Sequence, residues 1–227
     1  MADLELLTRL RRLIVHRKPP DRPLIVGITG VDTAGKSRLA TSLDRLLTDS
    51  GGSTQLIHVD DFHRPHSERV RPDLPEPQQF YRYSIDFPRL CRDLLEPIRR
   101  HRRVDVRLRL LDHYTDTWSI DRGYHVEPAT VVVLEGIFLL RPEVRRFVDL
   151  MIFLEVDEPT VLARATLRDV PLQGIEVLDR YRRKYLPGQR RYLAAHPPAV
   201  HADIIVDNRD HAAPRVLKWP PTTAVEN

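Results

Sequence analysis

The stretch IVGITGVDTAGKSRLATSL, residues 25–43, decides the fold. From Gly30 to Gly35, followed by Lys36 and Ser37, it runs G-x-x-x-x-G-K-[ST], the phosphate-loop pattern. Its surroundings make the match specific. PLIVGIT is a short apolar run that ends at the glycines, and Lys36 to Leu47 continues at helical spacing, so the loop sits at a strand-to-helix turn. Glycines let the backbone curl until several N–H groups point inward at the positive end of the following helix, where an anionic phosphate is held without a dedicated side chain. Lys36 is placed to reach the β- and γ-phosphates of a nucleotide and the Ser37 hydroxyl to bind Mg²⁺. Asp32 is the oddity, because a carboxylate facing phosphate is repulsive; it is expected to point outward and cap or fix the loop. Gly30, Asp32, Thr33, Ala34, Gly35, Lys36, Ser37 and Arg38 form the expected nucleotide-side set.

Outward from the loop, short apolar runs predict further buried strands at 54–59, 130–135, 150–156 and 203–206. Helices are predicted over 4–17, 86–100, 141–147, 158–169 and 173–194. Strands this short and apolar, separated by helices, imply an α/β three-layer sandwich, a parallel sheet with helices on both faces. The segment 104–127 contains VDVRLRLLDHY with period-two alternation and reads as a small β excursion walling an acceptor pocket. With 227 residues, 41% of them apolar, the chain can bury one sizeable core, so 1–227 reads as one domain. Within it lie an entry helix (1–20), the excursion, a helical lid with a closing helix (160–194) and a poorly ordered tail (211–227).

Composition excludes several classes. A single cysteine, Cys91, allows no intramolecular disulfide, and the amino terminus MADLELLTRLRRLIVHRK mixes charge with apolar residues where a signal peptide has an apolar block, so a cytoplasmic location is expected. The most apolar run, ATVVVLEGIFLL, is too short for a membrane span and carries Glu135. The net charge of +4 comes from arginines spread among acidic neighbours, and only 7% of residues are aromatic, which argues against a nucleic-acid surface. The expected partner is a small-molecule acceptor, and a homo-oligomer is compatible with the sequence.

Three further stretches carry chemistry. HVDDFHRPH (58–66) follows a strand on the same carboxyl edge as the loop, where an aspartate can accept a proton from an attacking hydroxyl; Asp60, the first after the strand, takes that role. A metal site of His58, Asp60, His63 and His66 is conceivable, but His58 belongs to the strand and the others read as surface residues. In VVVLEGIF, Glu135 ends an apolar strand; an acid buried there needs a partner, and the water shell of Mg²⁺ is the natural one. In VLARATLRDVPLQGIEVLDRYRRKYL, Arg164 and Arg168 are four apart on one helical face, ahead of a break at Pro171–Gly174. Two guanidiniums in register can clamp a triphosphate. A nucleotide-dependent switch is the competing class, but the guanine-reading N-K-x-D pattern is absent, since the only asparagines are Asn208 and Asn227.

Taken together, from about Leu24 to Asn208, these motifs resemble the uridine kinase-like family of P-loop kinases, which groups uridine-cytidine kinases with nicotinamide riboside kinase, phosphoribulokinase and bacterial pantothenate kinase. VDDFHRP is similar to the family segment whose first aspartate is the catalytic base, and IDFP (85–88) to the uridine kinase segment whose aspartate, here Asp86, holds the ribose hydroxyls. LLDHYTD falls where uridine kinases carry base-contacting residues on a hairpin, VVVLEGIFLL matches the strand with its glutamate, and RATLRD the arginine-bearing lid. The resemblance implies ATP and Mg²⁺ as cofactors and an acceptor held by Asp60, His63, Tyr83, Asp86, Asp112 and His113. It further implies catalysis through Asp60, Lys36, Arg164 and Arg168, metal binding through Ser37 and Glu135, and adenine near the final strand's exit loop at Asn208. His63, Leu111, His113 and Asp116 depart from the uridine kinase base pocket, and Ile175 replaces an arginine after the lid glycine. The implied activity is transfer of the γ-phosphoryl group to a small-molecule hydroxyl, with the 5′-hydroxyl of a ribonucleoside as first choice. Pantothenate, a sugar or a sugar phosphate are the alternative acceptors.

Overall fold

Every residue of the strand that feeds the glycine loop, Leu24–Gly30 (β1), is buried, as an interior strand of a parallel sheet covered on both faces must be. The computed structural model describes residues 4–221. β1 lies at the centre of a six-stranded sheet with Thr54–His58 (β2), Val131–Gly136 (β5), Leu150–Glu155 (β6), Ile204–Asp207 (β7) and Arg215–Lys218 (β8), in the order β2-β5-β1-β6-β7-β8. All neighbours are parallel except β7 and β8. Val104–Asp112 (β3) and Thr117–Val126 (β4) form a separate antiparallel hairpin within the expected excursion. The parallel register sets Ile28 beside Glu135 and Glu135 beside His58, so the carboxyl ends of three strands share one edge.

Helices cover both faces: Leu4–Arg17 (α1), Lys36–Asp49 (α2), His66–Arg69 (α3), Glu76–Tyr83 (α4), Phe87–Leu90 (α5), Glu96–His101 (α6), Pro142–Arg145 (α7), Glu158–Arg168 (α8), Val170–Gln173 (α9), Val177–Arg180 (α10), Leu186–Ala195 (α11) and Pro198–His201 (α12). Strand residues alternate between two cores. Ile25, Val132 and Leu134 pack with Phe80, Phe87 and Tyr192 on one face; Val26, Ile28 and Val133 pack with Leu10, Leu43 and Val161 on the other. Among the described residues no helix is long and apolar enough to cross a membrane.

The structure departs from the sequence reading in three places. The helix expected over 173–194 is divided: α9 ends at Gly174, whose φ of 80° is left-handed, and the chain then runs α10, a π turn at Tyr181–Tyr185 and α11. A second π turn, Cys91–Leu95, joins α5 to α6. Each π turn leads into a helix with proline in its first turn, Pro97 or Pro187, where a missing N–H is accommodated by a wider turn. Second, part of the expected tail is β8, whose Val216 packs with Trp219 against the core while the Arg9 guanidinium lies 4.5 Å from the Trp219 ring centroid. Residues 222–227 of that tail lie outside the described residues. Third, α3 and α4 arise in the proline-rich stretch after the Asp60 segment, where sequence periodicity is too short to read.

Candidate active site

Two residues of the glycine loop adopt left-handed backbone, Thr33 at φ 57° and Gly35 at φ 97°. A Cβ on Gly35 would stand 2.7 Å from the Asn208 amide nitrogen, so glycine is required by both conformation and space. Asn208 is buried and donates its side-chain N–H to the Ala34 carbonyl at 2.6 Å, bracing the loop from the end of β7. Lys36 Nζ donates to the Val31 carbonyl at 2.8 Å, curled over the loop. Ser37 Oγ donates to Glu135 Oε1 at 3.1 Å, and His58 Nδ1 lies 2.6 Å from the same oxygen. That bond holds His58 above its ordinary pKa, with Asp61 and Asp60 adding to the rise and burial opposing it.

The oxygen set of Ser37 and Glu135 fits Mg²⁺, a hard cation that keeps most of its water and takes one or two protein ligands beside nucleotide phosphates. Among the described residues no three histidine, cysteine or acidic side chains converge, so the histidine-rich alternative at His58, Asp60, His63 and His66 is not assembled. His58 turns to Glu135, and His63 Nδ1 lies 2.7 Å from the Asp60 carbonyl.

Two cavities meet at this edge. One, of about 350 Å³, is bounded by Thr33, Gly35, Lys36, Ser37, Arg38 and Arg164. The other, of about 440 Å³, has Asp32, Asp60, His63 and His113 among its walls. Arg168 borders both. Asp32 does not point outward as expected: it lines the larger cavity and accepts a 2.6 Å hydrogen bond from Gln189 Nε2 of α11. Burial pushes the Asp32 carboxyl up, opposed by Lys36 and reinforced by Asp60. Gln189 supplies the donor that makes the inward position tolerable. His63 stacks on His113 with ring centroids 4.6 Å apart, and His113 lies 4.0 Å from Tyr114, forming an aromatic side to the cavity. Burial, with the neighbouring His63, holds His113 below its ordinary pKa.

The expected lid arginines are engaged within the protein. Arg164 donates to the carbonyls of Thr33 (3.0 Å), Asn208 (2.6 Å) and Arg209 (3.1 Å). Arg168 makes a two-pronged contact with Asp169 at 2.7 and 3.0 Å and also donates to the Tyr181 hydroxyl.

Three expected acceptor residues stand apart from the larger cavity's lining. Asp86 accepts from Arg89 N, capping α5, and pairs with Arg64, both at 3.2 Å. Tyr83 lies under the Arg71 guanidinium, and Asp112 accepts from Tyr114 N in the hairpin turn. Leu111 is buried in the core, and Asp116 accepts from His66 N at 2.8 Å, pinning the hairpin tip to α3. Conversely, Arg69, Asp169, Arg180 and Lys184 line the cavity without having been singled out as site residues. Arg180 and Lys184, four apart beyond the lid, carried a helical-spacing signal; Arg69 carried none.

The pattern of the phosphoribulokinase / uridine kinase family matches residues 25–209. A curated uridine kinase of Leuconostoc citreum is 28% identical over 196 residues, covering 82% of this chain and 87% of that protein. A uridine kinase of a Geobacillus species is 27% identical over 202 residues, covering 84% and 88%. Among solved structures, one described as a possible uridine kinase from Bacillus stearothermophilus superposes with a TM-score of 0.69 at 23% identity, over 88% of this chain and 97% of that one, a likeness of fold. Since the family pattern spans the sheet from β1 to the exit of β7, the chain belongs to the phosphoribulokinase / uridine kinase family and is a P-loop kinase.

Proposed function

We propose that the chain transfers the γ-phosphoryl group of Mg·ATP to a hydroxyl of a small molecule seated in the larger cavity, with Asp60 as proton acceptor. The observation that carries the reading is the junction of the two cavities: Lys36 borders one, Asp60 the other and Arg168 both. The acceptor oxygen attacks the γ-phosphorus while its proton passes to Asp60; the new O–P bond forms, the bond to the β,γ-bridging oxygen breaks, and ADP leaves. Lys36 exchanges the Val31 carbonyl for phosphate oxygens, a charged acceptor for a neutral one. Ser37 and Glu135 would hold the Mg²⁺, which when bound would neutralise charge on the phosphates. Little covalent work is asked of the protein; positioning and charge stabilisation do the rest.

A ribonucleoside is the first acceptor to consider, because the curated relatives described above are uridine kinases. A non-nucleoside acceptor, such as pantothenate, a sugar or a sugar phosphate, is favoured by one observation: the Asp86 carboxylate is already committed to Arg64 and to the start of α5. Acceptor-dependent ADP release tests the activity, and Asp60→Asn tests the base. The substitution keeps the side chain's shape, so kcat should fall by about 10²–10⁴-fold while Mg·ATP affinity, measured by calorimetry, changes little. Lost nucleotide binding in Asp60→Asn would make Asp60 a nucleotide-site residue, and ADP release that needs no acceptor would favour a switch ATPase.

A further inference from the structure

The larger cavity is lined by charges of both signs. Asp32, Asp60 and Asp169 are among its walls, with Lys36 and Arg168 as the cations that act on Asp32. Arg69 from α3, Arg180 from α10 and Lys184 from the following π turn line the same space. None of these three borders the nucleotide-side cavity, where Lys36, Arg38, Arg164 and Arg168 already gather. Their own counter-charges are few. Arg69 meets Asp116 at 3.4 Å through one terminal nitrogen, and its Nε is buried with no hydrogen-bond partner. Among the described residues Arg180 has no ion pair. Lys184 has none either; its ammonium lies 5.7 Å from the Tyr185 ring centroid. Glu76, the acid that acts on Lys184, is itself bonded to Arg183 at 2.7 Å. Burial, with Arg69, Arg180 and Arg183 close by, holds the Lys184 ammonium below its ordinary pKa.

Three half-buried cations side by side repel one another, and an unpartnered buried guanidinium N–H is costly, unless a ligand supplies the missing negative charge. We infer that the phosphoryl acceptor carries an anionic group, a carboxylate or a phosphate ester, held by Arg69, Arg180 and Lys184 while its hydroxyl faces Asp60. This rests on the kinase reading above and names the acceptor's class. The two acids also orient it, because an anionic end placed beside Asp32 and Asp60 would be repelled. A neutral nucleoside would leave Arg180 and Lys184 without an ion pair and the Arg69 Nε without an acceptor.

The test uses the full chain and the double variant Arg180→Gln/Lys184→Gln, with folding checked by circular dichroism. ADP release is measured with D-glycerate, pantothenate, ribose 5-phosphate and fructose 6-phosphate, with their neutral counterparts glycerol, pantothenol, ribose and fructose, and with uridine and cytidine. The expected result is turnover of an anionic acceptor over its neutral counterpart, with KM for that acceptor raised about ten- to hundredfold in the double variant and KM for ATP within about threefold of wild type. Preference for a neutral acceptor whose KM is the same in both proteins would overturn the inference. Should no acceptor of the panel be turned over, inorganic phosphate is titrated calorimetrically into protein saturated with Mg²⁺ and a non-hydrolysable ATP analogue. Binding at least tenfold weaker in the double variant supports the anion wall; no binding to wild type, or equal binding to both, overturns it. Asp60→Asn separates the two readings: retained turnover of the accepted substrate rejects the base while leaving the charge effect to be judged independently.

Discussion

Arg164→Ala removes a strut that joins three segments. Its guanidinium donates to Thr33 O in the glycine loop, to Asn208 O at the end of β7 and to Arg209 O just beyond. The first two contacts are partly buried and the third is exposed. A hydrogen bond from a charged donor contributes roughly 1.5–3 kcal/mol when well shielded, and an exposed one well under that, since the freed carbonyl is rehydrated. Counting about 1–1.5 kcal/mol for each partly buried bond and little for the exposed one gives about 2–3 kcal/mol in the nucleotide-free protein. At about 2–4 °C per kcal/mol for a domain of this size, the melting temperature should drop by about 4–12 °C. Thr33 sits in left-handed backbone that the arginine helps to hold, so ATP affinity should fall as well, by about tenfold. Thermal and urea unfolding without nucleotide measure the first effect and calorimetry with Mg·ATP the second. Arg164→Lys, with one ammonium in place of a fork, should fall between. A stability change under about 0.5 kcal/mol alongside weakened ATP binding would refute the strut and make Arg164 solely a phosphate ligand.

Lys36→Ala should lower turnover by on the order of 10²-fold or more with the fold intact, because it deletes the charge aimed at the phosphates; ADP release and circular dichroism of both proteins check it, and full activity would remove the loop from the mechanism. The Arg209 guanidinium, bonded to Asp207 at 2.6 Å, holds that carboxyl down at about 2, below the ordinary 3.8. A depressed carboxylate stabilises the fold above its unfolded pKa, and the stabilisation is lost as pH falls through the folded one, so wild type should lose stability relative to Asp207→Asn between about pH 4 and pH 2. Urea midpoints of the two proteins across that range should converge as the pH falls; a constant gap would show that the pair contributes nothing by ionisation.

The glycine loop, its strand-to-helix setting and the parallel sheet were legible in the chain because each rests on local chemistry: left-handed backbone at Gly35, apolar runs about five residues long, and helical spacing after Lys36. Asp60 and Glu135 followed from the same logic, since parallel strands bring their carboxyl ends to one edge. β8 was missed because its four residues, Arg215–Lys218, bury little apolar surface of their own and are ordered by the free edge of β7. Side-chain direction lay further out of reach. Asp32 turns inward because of Gln189, 157 residues away, and Asp86 is occupied by Arg64, a charge that only the packing of α5 against the Asp60 segment delivers. Arg69 joins Arg180 and Lys184 in the cavity wall from more than a hundred positions earlier in the chain. Local sequence determines which backbone a segment adopts, whereas the partner that satisfies or repels a charge is chosen by contacts distant in the chain, and on those the charge lining the larger cavity depends.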